Sequence, residues 1–314
     1  MKFKFNGEEW YINEFLSIQL DSLVYNVRHD WDFVVLITGD RTVRTGKSVL
    51  GMTVCAYLAS RMAQLKLKTT YTLDNLFFES KKMISQALVM PQYSIVHYDE
   101  GREGLASSKF LNPFQMDLLD YFAECGQLNH IFVIVLPDFF GLNEEIAIAR
   151  SECLINVYRK DEKIETDLYG EGKIPIVRFK RGEFEFFNRY KKQELYDKAK
   201  LWRKKNYNLV KPNFYGSFTN QYTLDEKEYR KKKKEFLSRF RERKDIEGKT
   251  AKTDIFRDKE LISLFNEGKK ASEIQIILKR EYDYDITTRH IHRLLAKLIR
   301  KRVEGGEPVD FETD

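Results

Sequence analysis

WDFVVLITGDRTVRTGKSVLGMTVC, residues 31–55, is the stretch that decides the fold of this chain. Phe33 to Ile37 is an unbroken apolar run with the length of a buried strand. A polar loop follows, then Gly46-Lys47-Ser48, then an apolar-periodic stretch from Val49 to Leu65 that predicts a helix. Strand, loop, Gly-Lys-Ser and helix is an order that cradles phosphate. Loop and first-turn N–H groups point at the oxygens, and the helix dipole favours their charge. In that arrangement Gly39, Arg44, Thr45, Gly46, Lys47, Ser48 and Val49 line the anion site. Lys47 adds positive charge at the terminal phosphates, and the Ser48 hydroxyl ligates Mg²⁺. The loop departs from the G-x-x-x-x-G-K-S spacing: Arg41 stands where that spacing needs glycine, and Gly39 comes two residues earlier. Arg41 and Arg44 suit phosphate as guanidinium groups. A basic surface turn between strand and helix is the alternative.

Residues 93–100 read YSIVHYDE, a short apolar strand ending in two carboxylates. Beside a phosphate loop, Asp99 is expected to hold Mg²⁺ and Glu100 to polarise an attacking water as general base. Without that loop a solvated strand-end pair would be as good a reading. Between Ser48 and Asp99 there is room for crossover helices and a parallel sheet. A further apolar strand, Ile131 to Leu136, follows a helix-like run from Pro113 to Cys125. Pro137-Asp138 closes it, with Asp138 either a polar sensor at the nucleotide edge or a turn residue. Leu142 to Arg150 predicts a short helix, and Leu154 to Tyr158 a fourth strand. Arg150 is expected either as an arginine finger in a ring assembly or as a cation at a helix end, with Arg159 and Arg102 as rivals for the first role.

Together GDRTVRTGKS, IVHYDEGREGL and HIFVIVLPDFFGLNEEIAIARSECLINVYR resemble P-loop ATPases of phages and archaeal mobile elements. The likeness runs over about residues 20–160 and is to the group with an additional strand between the P-loop strand and the Walker B strand and a catalytic glutamate. FtsK/HerA-type DNA translocases, packaging ATPases and terminase motors are the nearest in style. The resemblance implies ATP and Mg²⁺ as cofactors, with Lys47 and Ser48 for phosphate and metal, Asp99 for metal and Glu100 for catalysis. It further implies DNA as partner and a homo-oligomeric ring. The choice of ATP over another triphosphate rests on the resemblance alone.

The chain has 314 residues, 42% hydrophobic and 14% aromatic, enough for two domains and a folded core. No apolar run is long enough for a transmembrane helix, and the N-terminal stretch lacks the apolar core of a signal peptide. A cytoplasmic protein with no membrane partner is expected, in the host cytoplasm if viral. Cys55, Cys125 and Cys153 are scattered without metal spacing; Cys55 and Cys153 read as small core residues. His97 reads as packing or a hydrogen-bonded core residue.

Residues 191–250 hold 19 Lys/Arg against 9 Asp/Glu, while the whole chain is only +6, so the remainder is net acidic. The densest part, YRKKKKEFLSRFRER from Tyr229, contains Lys231, Lys232, Lys233 and Lys234. Such segregated charge attracts a phosphate backbone, though a solvated helix face or an interdomain linker has the same composition. The aromatics just upstream, Trp202 to Tyr222, either stack on bases or pack onto the core. Ile174 to Phe187 alternates about Arg181-Gly182 and predicts a β-hairpin.

Near the C-terminus three short helices are expected. Asp258–Glu267 is stopped by Gly268, a second is capped by Ser272, and a third is capped by Thr287 after a turn at Tyr282–Ile286. The third has an apolar face and a basic one, as in a helix-turn-helix, which puts Thr288, Arg289, His292 and Arg293 near DNA. A helical interaction module with a solvated basic face is the alternative. The expected architecture is α/β: a P-loop ATPase domain with parallel sheet and hairpin extension (1–190), a basic connector (191–250), a helix-turn-helix-like domain (251–302) and an acidic tail (303–314). The function this implies is an ATP-driven DNA translocation or packaging motor. The alternatives are an ATP-dependent DNA-binding switch or helicase loader, and a non-hydrolysing DNA-binding regulator.

Overall fold

The computed structural model describes residues 1–39, 45–99, 118–122, 126–167, 173–282 and 286–304; for 80, 240–259, 281–282 and 297–304 it describes the main chain alone. Arg41, Arg44, Glu100, Arg102 and Cys125, most of the helical run expected over 113–125, and the tail from residue 305 lie outside the described residues. The chain divides into two compact units, Met1–Lys233 and Lys234–Asp314.

The first unit is α/β. A small hairpin, β1 (Lys2–Phe5) and β2 (Glu8–Tyr11), leads into α1 (Glu14–Val27), whose first turn is capped by the Asn13 side chain accepting from Leu16 N. β3 (Phe33–Gly39) and α2 (Lys47–Gln64) follow, then β4 (Leu76–Phe77), α3 (Ser80–Ala87) and β5 (Ile95–Asp99). β6 (Ile131–Val135), β7 (Ser151–Thr166), β8 (Ile174–Asn188), α4 (Arg189–Trp202), β9 (Phe214–Ser217) and the start of α5 (Glu226–Asn266) complete it. The seven-stranded sheet runs β4-β5-β6-β3-β7-β8-β9. Its first five strands are parallel, and β8 and β9 are antiparallel additions at one edge.

β3 lies at the centre because both of its faces are apolar. Phe33, Val35 and Ile37 pack towards α1 and α2, and Val34 and Leu36 pack towards the layer containing α3. Each such side chain contributes about 2 kcal/mol of burial. The all-buried runs of β3, β5 and β6 are what a sheet covered on both faces requires.

Two local expectations are corrected. Arg181-Gly182 is not a hairpin turn: β8 is continuous through it, and β7–β8 is the hairpin. Gly182 instead has φ +93° where the register slips between Tyr158 and Lys160. An isolated glycine of this kind inside a strand makes a bulge. Residues 191–233 are not a connector. They supply α4, β9 and the first turns of α5 to the first unit.

In the second unit α5 ends at Asn266, and α6 (Ala271–Tyr282) and α7 (Thr288–Glu304) follow. Gly268 (φ +75°) ends α5 as expected, with Lys269 N bonded to Leu264 O, a left-handed helix stop. Thr287 caps α7 through His290 N at 3.3 Å. Ser272 lies inside α6, one residue past its start, rather than at the cap. Leu261, Ile274, Leu278, Ile291 and Leu295 form this unit's own core. Among the described residues no helix is long and apolar enough to cross a membrane.

Candidate functional site

The C-terminal ends of the parallel strands lie at one edge of the sheet. Register sets Asp99 of β5 beside Val135 of β6, and Val135 beside Ile37 of β3, so Asp99 and the end of β3 share a level. β6 separates the two strands. At this edge Gly46 adopts φ +100°, a backbone only glycine takes without strain, and α2 begins at Lys47. Gly46 supplies no side-chain cap, which leaves the first-turn N–H groups without a side-chain acceptor from the cap residue.

Lys47 lies back across Gly39: a Cβ built there would stand 3.1 Å from Lys47 Nζ and 3.2 Å from Cδ. Gly39 therefore keeps the path of the lysine clear. A Cβ on Gly46 would stand 3.1 Å from the ring of Phe218, which walls that side. Thr45 is buried, and its Oγ1 has no hydrogen-bond partner among the described residues.

Ser48 Oγ donates to Asp99 Oδ1 at 2.9 Å. Asp99 is wholly buried. On its other oxygen it accepts from Tyr229 OH at 2.7 Å and from Lys233 Nζ at 3.2 Å; Lys233 also donates to Tyr229 OH at 3.0 Å. Burial opposes ionisation of Asp99, but the Lys233 ammonium and the Tyr229 and Ser48 hydroxyls outweigh it and hold the carboxyl below its ordinary value. Burial likewise opposes the Lys233 charge, and Asp99 overcomes it and raises that pKa. Burial, with Asp99 next, raises the Tyr229 phenol.

His97, two residues before Asp99, is the core residue expected: buried, with Nδ1 2.7 Å from Tyr71 OH and burial pushing its pKa down to about 4. It packs against Gly51, where a Cβ would fall 2.8 Å from His97 Nε2. That glycine lets α2 approach β5 and β6 closely enough to deliver Ser48 to Asp99.

The sequence-predicted residues thus divide. Gly39, Thr45, Gly46, Lys47, Ser48, Val49 and Asp99 gather at one edge; Arg44 and Glu100 lie outside the described residues. Arg150 does not join them. It ends a π-helical turn immediately before Ser151, which pairs with Val34 at the opposite end of β3. Five residues of strand, about 16 Å, separate that level from Gly39. Asp138 accepts from Phe140 N at 3.1 Å, the bond of a turn-forming aspartate.

The lysine run is corrected in part. Lys231 and Lys234 are exposed. Lys232 is turned inward, donating to the carbonyls of Leu73 and Leu76, and Lys233 is committed to Asp99. The cause is the 3.6-residue period, which puts 229, 232 and 233 on one face of α5. Tyr229 and Lys233 are the site residues that composition hid. Their signal is the i, i+4 spacing inside what reads as a uniform basic block. Of the upstream aromatics, Tyr207 and Phe218 are buried, while Trp202 and Tyr215 are 52% and 57% exposed.

In the second unit Arg289, His292 and Arg293 are exposed on α7, and Thr288 is half-buried at its start. Thr288 and His292 line a groove of about 550 Å³ with Phe265, Lys269, Lys270 and Ser272. The chain matches no protein-family model and no curated protein.

Proposed function

We propose that this chain is a Mg²⁺-dependent P-loop ATPase that acts on DNA, a translocation or packaging motor working as a homo-oligomeric ring. The observation that carries the ATPase assignment is the meeting of Ser48 Oγ and Asp99 Oδ1, 2.9 Å apart, at the carboxyl ends of parallel strands. Open α/β sheets bind ligands at that edge. The strand order adds support, because β6 stands between β3 and β5. This matches the additional strand of the glutamate-bearing P-loop ATPases that the chain resembles.

The donor chemistry fits. Ser48 and Asp99 offer hard oxygens of the kind Mg²⁺ takes along with phosphates and water. The Thr45 hydroxyl, without a partner among the described residues, and the first-turn N–H groups beyond the side-chain-free cap at Gly46 offer donors to a bound anion. When bound, Mg²⁺ supplies charge neutralisation at the β- and γ-phosphate oxygens. Lys47 adds a second positive charge there. Glu100 orients water and takes its proton. Arg150, at the far end of the strands from its own Asp99, acts only on the site of a neighbouring copy. In a helix-turn-helix-like module, the exposed Arg289, His292 and Arg293 of α7, with Thr288 at its start, are assigned to DNA. The outward Lys231 and Lys234 are assigned to phosphate contacts of their own.

Steady-state ATP hydrolysis with and without duplex DNA tests the assignment. Magnesium-dependent turnover that DNA stimulates, lost in Glu100→Gln with nucleotide binding kept, is the expected result. Equal and negligible rates in both proteins would make the chain a non-hydrolysing DNA-binding protein. DNA-stimulated turnover without directional movement on duplex would make it a switch or loader.

A further inference from the structure

Asp99 holds a cation already. Its carboxylate is wholly buried, and a buried carboxylate needs a positive partner to stay ionised. That partner is Lys233, 3.2 Å from Oδ2. Tyr229 OH bridges the pair, donating to Oδ2 and accepting from Nζ, and the ammonium lies over the rings of Phe78 and Tyr229 at 5.6 and 5.5 Å. Both residues come from α5, whose sequence separation from Asp99 is 130 residues and more, so the contact is a built tertiary one.

A dication and an ammonium on one carboxylate repel each other across a few ångströms in a partly dry site. The Lys233 side chain is 30% exposed, so its flexible stem has a route to water. We infer that Lys233 is a cation latch: it occupies Asp99 in the nucleotide-free protein and leaves that carboxylate when Mg²⁺ and nucleotide bind. The latch presupposes the nucleotide site proposed above and adds to it a gate carried by the chain itself. Tyr229 acts as a positioning residue, holding Oδ2 and the ammonium in register while Oδ1 stays with Ser48. Because the binding-competent state is then only a minor fraction, nucleotide affinity in magnesium is lowered by that fraction.

Two measurements on the full chain test this. The first is titration with a fluorescent, non-hydrolysable ATP analogue in magnesium. Lys233→Met is expected to bind about tenfold more tightly than wild type, and Tyr229→Phe to tighten binding by a smaller factor. The second needs no variant: amine-directed acylation read by mass spectrometry, in which Lys233 of the wild type reacts slowly when free and faster once Mg²⁺ and the analogue are bound. Nucleotide binding that is unchanged or weaker in both variants overturns the latch. So does analogue binding with no rise in Lys233 labelling. If neither wild type nor variants bind the analogue, the nucleotide site itself is wrong and the latch falls with it.

Discussion

Ser48 Oγ and Asp99 Oδ1 stand 2.9 Å apart although 51 positions separate them in the chain. One belongs to the first turn of α2 and the other to the last residue of β5, so the bond ties a helix start to a strand end across β6. Asp99→Asn keeps the shape and removes the charge. The Lys233 ammonium is then left in a mostly buried place without its counter-ion. The expected cost is about 2–3 kcal/mol, below the full cost of breaking a buried pair because Lys233 keeps some exposure to water. Urea unfolding measures it, and adding Lys233→Met to Asp99→Asn should recover roughly half. Nucleotide affinity in magnesium should fall by about 100-fold in Asp99→Asn.

Gly51 is a packing requirement. A Cβ there would stand 2.8 Å from His97 Nε2 and 2.9 Å from Val135 Cγ2, and both atoms are fixed in the core. Gly51→Ala forces α2 away from β5 and β6 and is expected to destabilise by about 1–3 kcal/mol despite the better helix propensity of alanine. A midpoint of denaturation equal to or above wild type would contradict the close approach.

Lys192 is completely buried, with its ammonium donating to the carbonyls of Ile148 and Ser151 and to the Ser151 hydroxyl. Burial lowers its pKa from 10.5 to about 8. The unfolded chain therefore binds more protons than the folded one between those values. Stability attributable to Lys192 should rise with pH across that window, by roughly 3 kcal/mol in total, with the burial cost felt in full below pH 8. The check is the stability difference between wild type and Lys192→Met, followed from about pH 7.5 to 10. A difference that stays flat would show that the ammonium is not titrating in the folded state.

The lysine run separates two roles by facing. Replacing Lys231 and Lys234 with Gln should lower the slope of log DNA affinity against log salt by about 2. Replacing Lys232 with Gln should leave that slope alone and cost about 1 kcal/mol of stability, because the Leu73 and Leu76 carbonyls lose a donor. Anisotropy titrations of labelled duplex between about 50 and 200 mM salt read the first effect, and urea unfolding the second. Equal slopes for all three proteins would place the DNA contact elsewhere.

The strands that carry the site were legible because they are buried on both faces. Phe33–Ile37 and Ile131–Val135 are uninterrupted apolar runs with few other ways to fold, and Ile95–Tyr98 is broken only by the buried His97. Gly268 and Thr287 were legible through backbone chemistry, one by its left-handed φ and the other by its hydroxyl. The arm of β7 and β8 was harder to read, since alternation about Gly182 suits a turn and a bulge alike, and only pairing with β7 distinguishes them. The inward course of Lys232 and Lys233 was hidden because a run of identical residues carries no periodicity of its own. Lys192 was hidden for a related reason: the three acceptors that make its burial tolerable come from Ile148 and Ser151, more than forty residues away.

β6 acts as a spacer. By hydrogen-bonding to β3 on one side and β5 on the other it fixes their main chains two strand spacings apart, about 10 Å. That gauge is set by peptide groups, which single side-chain replacements leave in place. Substitutions along this edge can therefore change which side chains line it, while the spacing of the strands beneath stays a property of the sheet.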